Sequence, residues 1–380
     1  HGTSLLQTAT AADGALNTYG YDSAGRTTSD ALGVRLAAGA ATSQARQTMA
    51  YDANGRQTAH TDPLGQTRRS QYNAAGDLTQ ETSPLGHITT HTYNQRGERT
   101  RTSHPGGQSD TWAYDAEGRE TQSCTGANGN AGLCTRTQYS ALGHPSQVTD
   151  PAGGITRRQY DAAGQLTQET DPLGRVTRHD YDAGGRTSKT TTALGHATQW
   201  AYNAAGQVSQ LTAADGKVTS YAYDGAGRRT RTTLPGGASQ STAYDAAGQR
   251  TSDTDATGHT TKYGYDAAGR LKDVSLPTGA ATAYAWNEAG QLLSQTDARG
   301  NATGYGYDLA GRRTSRTLAD GSKEQLAHDA DGHLTGHTQF DGSRTSYTYN
   351  SAGQPTGHQR PDGSLSIGYD SHGRAQRYTD

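Results

Sequence analysis

The feature that most constrains this chain is a period. An aromatic anchor, an Asp or Asn, two small or polar residues and a Gly recur at Tyr21, Tyr51, Tyr72, Tyr93, Tyr114, Tyr139, Tyr160, Tyr181, Tyr202, Tyr223, Tyr244, Tyr265, Trp286, Tyr307, His328, Tyr349 and Tyr369. Gly stands four places after all seventeen anchors, and most anchors are 21 residues apart. Only Ser140 replaces the Asp or Asn. A fixed period of this length means one supersecondary unit stacked on copies of itself.

The unit Tyr160–Asp180 shows what is repeated. Asp161-Ala162-Ala163-Gly164 is a turn signal: Asp accepts from the backbone two residues on, and Gly supplies the positive φ that closes a type I turn with a bulge. Gly76, Gly164, Gly206 and Gly269 are glycines of this kind. Asp171-Pro172-Leu173-Gly174 is a second signal, with Pro presetting φ and Gly174 closing the turn. Between the turns, Gln165 to Thr170 and Arg175 to Tyr181 are Thr-rich runs of strand length. Tight turns at both ends predict antiparallel neighbours. Residues two places before the anchor, such as Trp112, Trp200, Tyr221, Tyr263 and Tyr284, are large, whereas those one place before are small or polar. One strand face is therefore expected to stack large side chains, with Tyr72, Tyr160, Tyr181, Tyr202 and Tyr265 as structural anchors.

Leu, Ile, Val and Phe total 34 of 380 residues, too few for a compact globule of this length. A thin wall held by stacked Tyr and turns fits better. The expected fold is all-β: one continuous antiparallel ribbon, about 34 strands at two per unit, too long to stay open and flat. It should spiral into a hollow shell whose coils meet edge to edge. Residues 1–380 read as a single array of about 17 units, incomplete at both ends, as in a segment of a longer polypeptide. No stretch resembles a signal peptide or a membrane helix. With 34 basic residues against 36 acidic ones and no basic stripe, nucleic acid is not an expected partner.

Two units are enlarged, at 21–50 and 114–138. The first holds the loop Ala37-Ala38-Gly39-Ala40-Ala41. The second holds Cys124 and Cys134, which a hairpin turning at Asn128-Gly129 would bring together as a disulfide, two free thiols being the alternative. The fourteen histidines keep no fixed offset to a nucleophile, and neither His179 with Asp180 and Asp182 nor Asp253, Asp255 and His259 has metal-ligand spacing. No catalytic residue, metal or cofactor is expected. The Arg after the turn Gly, as at Arg26, Arg56, Arg186 and Arg228, is expected to pair with the turn Asp or to stack on Tyr.

These units, with Tyr265-Asp266-Ala267-Ala268-Gly269-Arg270-Leu271 as a close match and Asp171-Pro172-Leu173-Gly174 as the second turn, resemble the YD repeat of Rhs proteins. The resemblance covers nearly the whole chain. It implies a β-hairpin strip coiled into a shell, as in bacterial polymorphic toxins, Tc toxins and teneurins. In the toxins the shell encloses a toxic C-terminal domain released by self-cleavage. The paired Asp-Pro-x-Gly-Leu junction of that cleavage is not found here, so protease activity is not carried over. The implied function is a structural shell segment of a secreted bacterial toxin. Its partners would be the toxin domain of the same polypeptide and the secretion machinery, with a secreted or cell-surface location. The alternative is an adhesion module that binds surface glycans on its Tyr column.

Overall fold

The computed structural model describes residues 5–10, 16–127, 133–370 and 374–379. They form one sheet of 35 strands, numbered here in chain order from β1 (Thr8–Thr10) to β35 (Ala375–Thr379), and no helix. Among the described residues no helix is therefore long and apolar enough to cross a membrane. Each strand pairs antiparallel with its neighbours in sequence, and β1 does not pair with β35, so the sheet is a strip rather than a closed barrel.

The repeat Tyr160–Asp180 shows the local physics. At the first turn the Gly164 N–H donates to Asp161 O at 3.1 Å and the Asp161 N–H to Gln165 O at 3.0 Å. This is a type I turn closed by a glycine bulge. The Asp161 side chain accepts from the Ala163 and Gln165 N–H groups, both at 2.9 Å. Asp171 does the same for Leu173 and Arg175 at the second turn. The turns consume one residue more than the sequence suggests. Strands β15 (Leu166–Thr170) and β16 (Val176–Tyr181) begin one residue after Gln165 and Arg175, whose N–H and C=O groups are spent on the turns.

Burial shows a wall one layer thick. In β16 the exposed Arg178 and Asp180 alternate with the half-buried Thr177, His179 and Tyr181. Among the described residues only Ala31, Val34, Cys124, Cys134 and Leu293 are buried apolar positions. A sandwich of this size would bury every second residue of each strand. The accessible surface is 21775 Å². A compact monomer of this mass would expose only about 14,000 Å².

The strip returns to itself. The turn between β7 (Leu78–Thr82) and β8 (Ile88–Tyr93) meets the turn between β30 (Lys323–His328) and β31 (Leu334–Thr338). The turn between β9 (Arg99–Ser103) and β10 (Gln108–Tyr114) meets the one between β32 (Arg344–Tyr349) and β33 (Pro355–Arg360). The enlarged loop between β3 (Thr27–Arg35) and β4 (Thr42–Tyr51) meets the turn between β26 (Ala281–Trp286) and β27 (Leu292–Thr296). Each junction lies 23 strands along the strip from its partner. At ~4.8 Å per strand that coil has a circumference on the order of 110 Å, roughly 35 Å across if circular. Two packed sheets stand only about 10 Å apart, so the coil surrounds space that its own strands do not fill. The result is the expected spiral, with coils meeting edge to edge.

Candidate functional site

For a wall, the working parts are the devices that hold repeat to repeat and coil to coil. The first is a relay along the turns. The Tyr72, Tyr160, Tyr181, Tyr202 and Tyr265 hydroxyls donate to Gln57 O, Pro145 O, Leu166 O, Thr187 O and Arg250 O at 2.7 to 2.9 Å, each reaching fifteen residues back into the preceding unit. Trp286 makes the same tie through Nε1 to Leu271 O at 2.7 Å, which is why an indole serves at that anchor. His328 stands at an anchor too, and its pKa is lowered by burial and then by the Arg312 charge.

The post-turn Arg fills both roles foreseen for it. Arg186 pairs with Asp182 at 2.6 Å and its guanidinium lies 4.5 Å from the ring centroid of the next anchor, Tyr202. Arg26, Arg56, Arg119 and Arg228 repeat the arrangement on Tyr51, Tyr72, Tyr139 and Tyr244. Arg228 also donates through Nη1 to Asp245 O of the following turn at 2.9 Å. These bonds hold the turn carboxylates low: the Arg186 side chain does so first at Asp182, and the Arg228 N–H first at Asp224. Where Arg is absent, Gln165 and Gln207 reach the next turn's Gly185 O and Gly227 O, and His144 and His333 stack on Tyr160 and Tyr349 at 4.8 Å. Many anchor ring faces are therefore covered, which reduces the flat aromatic surface open to a sugar.

Gly76, Gly164, Gly174, Gly206 and Gly269 have φ of 99, 80, 79, 79 and 79°. A Cβ built on Gly164 would stand 2.7 Å from His144 Nε2, so that position carries both a backbone and a steric demand. Cys124 and Cys134 are directly opposed on β11 (Glu120–Ala127) and β12 (Leu133–Tyr139) and are disulfide-bonded. The Asn128-Gly129 reversal lies outside the described residues. His179 Nδ1 lies 3.1 Å from Thr190 Oγ1, and Asp253 is engaged by Thr242, Tyr263 and Arg250. Among the described residues no cluster of three or more His, Cys, Asp or Glu is placed to hold a metal ion.

The second device is the fastening of the seam between coils, whose residues sequence reasoning missed. Asp331, with a side chain only 8% exposed, reaches from the second coil into the Ser83–His87 turn of the first. Ser83 Oγ donates to Asp331 Oδ2 at 2.8 Å, the Leu85 N–H donates to Oδ1 at 3.1 Å, and His87 Nδ1 lies 2.9 Å from Oδ2. Comparison with Asp171 gives the reason. There the turn's own carboxylate takes the N–H two places on; Ser83 is too short and accepts only the His87 N–H, at 3.2 Å. Asp331 supplies from another coil the carboxylate that this turn lacks. Burial works to raise the Asp331 pKa, but the Ser83, Leu85 and His87 contacts outweigh it and bring it below the ordinary value. A signal was present in the sequence: Asp331 stands where most units have Ala, and Ser83 where most such turns with Pro-Leu-Gly have Asp.

The enlarged first unit serves the same seam. Glu288 accepts from the Arg35 N–H at 2.8 Å and pairs with its guanidinium at 2.7 Å. Asn287, 1% exposed, donates to Arg35 O at 2.9 Å, and the Tyr307 N–H donates to Leu36 O at 2.8 Å. A solvent-open cavity of about 440 Å³ lies beside the seam, lined by His87, His104, Asp110, Asp331 and Ser351 among others.

Comparison with known proteins puts this geometry in context. The RHS repeat family model matches residues 51–88, 72–109, 114–155, 160–198, 202–239, 244–285, 286–323 and 328–365. A search of curated protein sequences gave no match. Among solved structures, the crystal structure of TcdB2-TccC3-TEV superposes on 95% of this chain and 24% of its own, at 15% identity and a TM-score of 0.70. TcdB2-TccC3 without its hypervariable C-terminal region matches 95% of this chain and 22% of its own, at 17% identity and a TM-score of 0.57. The Photorhabdus luminescens Tc holotoxin pore matches 95% and 26%, at 16% identity and a TM-score of 0.52. At these identities the likeness is one of fold. The chain spans about a quarter of the length of those solved chains.

Proposed function

The chain belongs to the RHS repeat family, and from that premise we propose that it is a wall segment of a shell that encloses and shields a toxic payload. The RHS strip is a structural fold, and the work assigned to this one is mechanical. One observation carries the reading: a strip one sheet thick winds back onto its own edge every 23 strands and is fastened there by Asp331 and Glu288. Such a wall separates two volumes of solvent while using few apolar residues, and needs no catalytic group to do so. The payload is the toxin domain of a parent polypeptide, and the secretion machinery is the other partner. The destination is outside the cytoplasm, where the Cys124–Cys134 bond would persist.

The test is protection. A protease-sensitive, unfolded reporter appended to the intact chain is digested in parallel with the same reporter free in solution. Slower cleavage of the appended reporter is expected, with loss of the difference in Asp331→Lys, which puts an ammonium where Ser83 Oγ and the Leu85 N–H donate to a carboxylate. Equal cleavage rates of the free and appended reporter would refute enclosure.

A further inference from the structure

The near balance of 34 basic and 36 acidic residues conceals a sorting by face. Most carboxylates stand in the turns along the two rims, where many cap N–H groups or pair with Arg. The strands between keep few, and the pleat decides which way each side chain points. Arg157 and Arg158 on β14 (Ile155–Tyr160) show the rule. Arg158 lies on the face of the Tyr anchors and pairs with Glu169 at 2.8 Å. Arg157 lies on the other face, opposed by Gln147 and Thr170. Arg178 of β16 repeats Arg157, opposed by Gln168 and Thr191. Arg136 of β12 stands opposite Gln122, whose Oε1 accepts from its Nε at 3.2 Å. Lys189 of β17 (Thr187–Thr191) stands opposite Asp180, which is the one strand carboxylate on this face from β12 to β17. Among the described residues Arg157, Arg178 and Lys189 have no ion-pair partner.

We propose that this Arg-bearing face, over β12 to β17, is the outer face of the coil and docks on a bilayer that carries anionic phosphate headgroups. Coiling draws side chains together on the inner face and spreads them on the outer one. Thr198 and Thr219, on the Tyr face, are half-buried, whereas the smaller Ala201 and Ala222, on the Arg face, are exposed. Four cations against the one carboxylate Asp180 leave the patch a net charge of +3. Arg157 and Arg178 stand two strands apart, on the order of 10 Å. The strands are already paired on both sides, so an extended peptide has no edge here to join. A convex face gives a polymer no groove. The side chains around the row, Gln138, Gln147, Gln159 and Gln168, include no aromatic ring on which a base could stack. A plane of laterally mobile headgroups needs neither groove nor fixed spacing, and the Gln amides add donors to its phosphate oxygens.

Co-sedimentation of the intact chain with large vesicles tests this, one set of phosphatidylcholine alone and one with phosphatidylglycerol added. A vesicle is far wider than the coil, so binding reads the outer face alone. The wild type should bind only the anionic set at about 0.01 M salt, and binding should fall as salt rises to about 0.15 M and screening shortens. Each cation near such a surface changes partitioning about fivefold. Arg157→Gln with Arg178→Gln should therefore weaken binding by about thirtyfold. Lys217→Gln with Arg299→Gln removes the same charge from the rim and should leave most of the binding in place. Equal binding to both vesicle sets, none included, overturns the proposal, as does an equal loss in the two double variants. Polyglutamate, dextran sulfate or single-stranded DNA, each tried in parallel, would overturn the bilayer as occupant by binding through Arg157 and Arg178 where vesicles do not. None of these outcomes bears on payload enclosure, which rests on the seam within one chain.

Discussion

Replacing Asp331 by Ala removes three contacts at once: those with Ser83 Oγ, the Leu85 N–H and His87 Nδ1. Hydrogen bonds to a charged group contribute about 1.5–3 kcal/mol each. Because His87 and Leu85 are near water, which can take over part of the bonding, we set the expected loss near 3 kcal/mol, roughly a hundredfold in the local opening equilibrium. Whole-chain melts would blur this, since a repeat strip need not unfold in two states. The readout is therefore hydrogen exchange at the Leu85 amide, with the inter-coil spacing followed by small-angle X-ray scattering. Asp331→Ala should speed Leu85 exchange and expand the particle. Adding Ser83→Asp to Asp331→Ala should return the Leu85 protection, since the turn then carries its own cap, yet leave the coils apart. If the double variant also restores the spacing, or if Asp331→Ala changes neither reading, Asp331 does not fasten the seam.

Three further outcomes are expected. The Asp331 carboxyl is shifted down on folding, so its contribution is complete above the usual Asp value of about 3.9 and is lost as pH falls through its lowered value; acid titration of Leu85 exchange in wild type, set against Asp331→Asn, should show that loss only in the wild type. Gly206→Val should cost at least ~1–2 kcal/mol, and Gly164→Val more because it also displaces His144 from Tyr160, whereas Ala205→Val should cost much less; equal losses for Gly206→Val and Ala205→Val in urea melts would sink the turn assignment. Native, unreduced protein should resist iodoacetamide at Cys124 and Cys134, and alkylation of both would count against the bond.

The repeat unit was readable because its physics is local. The Asp161 side chain caps a turn within four residues of itself, and Gly164 satisfies a φ requirement set by the same turn, so five residues suffice to announce the hairpin. The coil was readable only in outline. Scarce apolar residues argue against a packed pair of sheets, but the figure of 23 strands per coil depends on the twist and bend accumulated over a whole turn, which no short stretch encodes. The seam lay between these cases. Asp331 and Ser83 are each a plain departure from the repeat pattern, yet they stand 248 residues apart and acquire meaning only together. The strand starts erred by one residue because Gln165 and Arg175 have strand-like neighbours but turn-bound backbones.

That strand count has a consequence for how such walls vary. Turns on one rim of the strip join odd to even strands, and turns on the other join even to odd, so turn seats on turn only when the offset between coils is odd. An offset of 22 or 24 would set every turn against a gap. The girth of the shell is thus quantised: it can change by two strands, one whole repeat, about 10 Å of circumference and 3 Å of diameter, and by nothing finer. Lengthened strands such as Thr27–Arg35, Thr42–Tyr51, Glu120–Ala127 and Leu133–Tyr139 leave the count, and so the phase, untouched. Duplication or loss of one 21-residue unit between Ser83 and Asp331 preserves the parity: if the coil widens or narrows by those two strands the Asp331–Ser83 pairing stays in register, whereas at a fixed girth of 23 strands Asp331 would face a different turn. A lineage can therefore change its bore and keep its fasteners when the repeat is gained or lost inside the coil that those fasteners close, and must rewrite them when it is not.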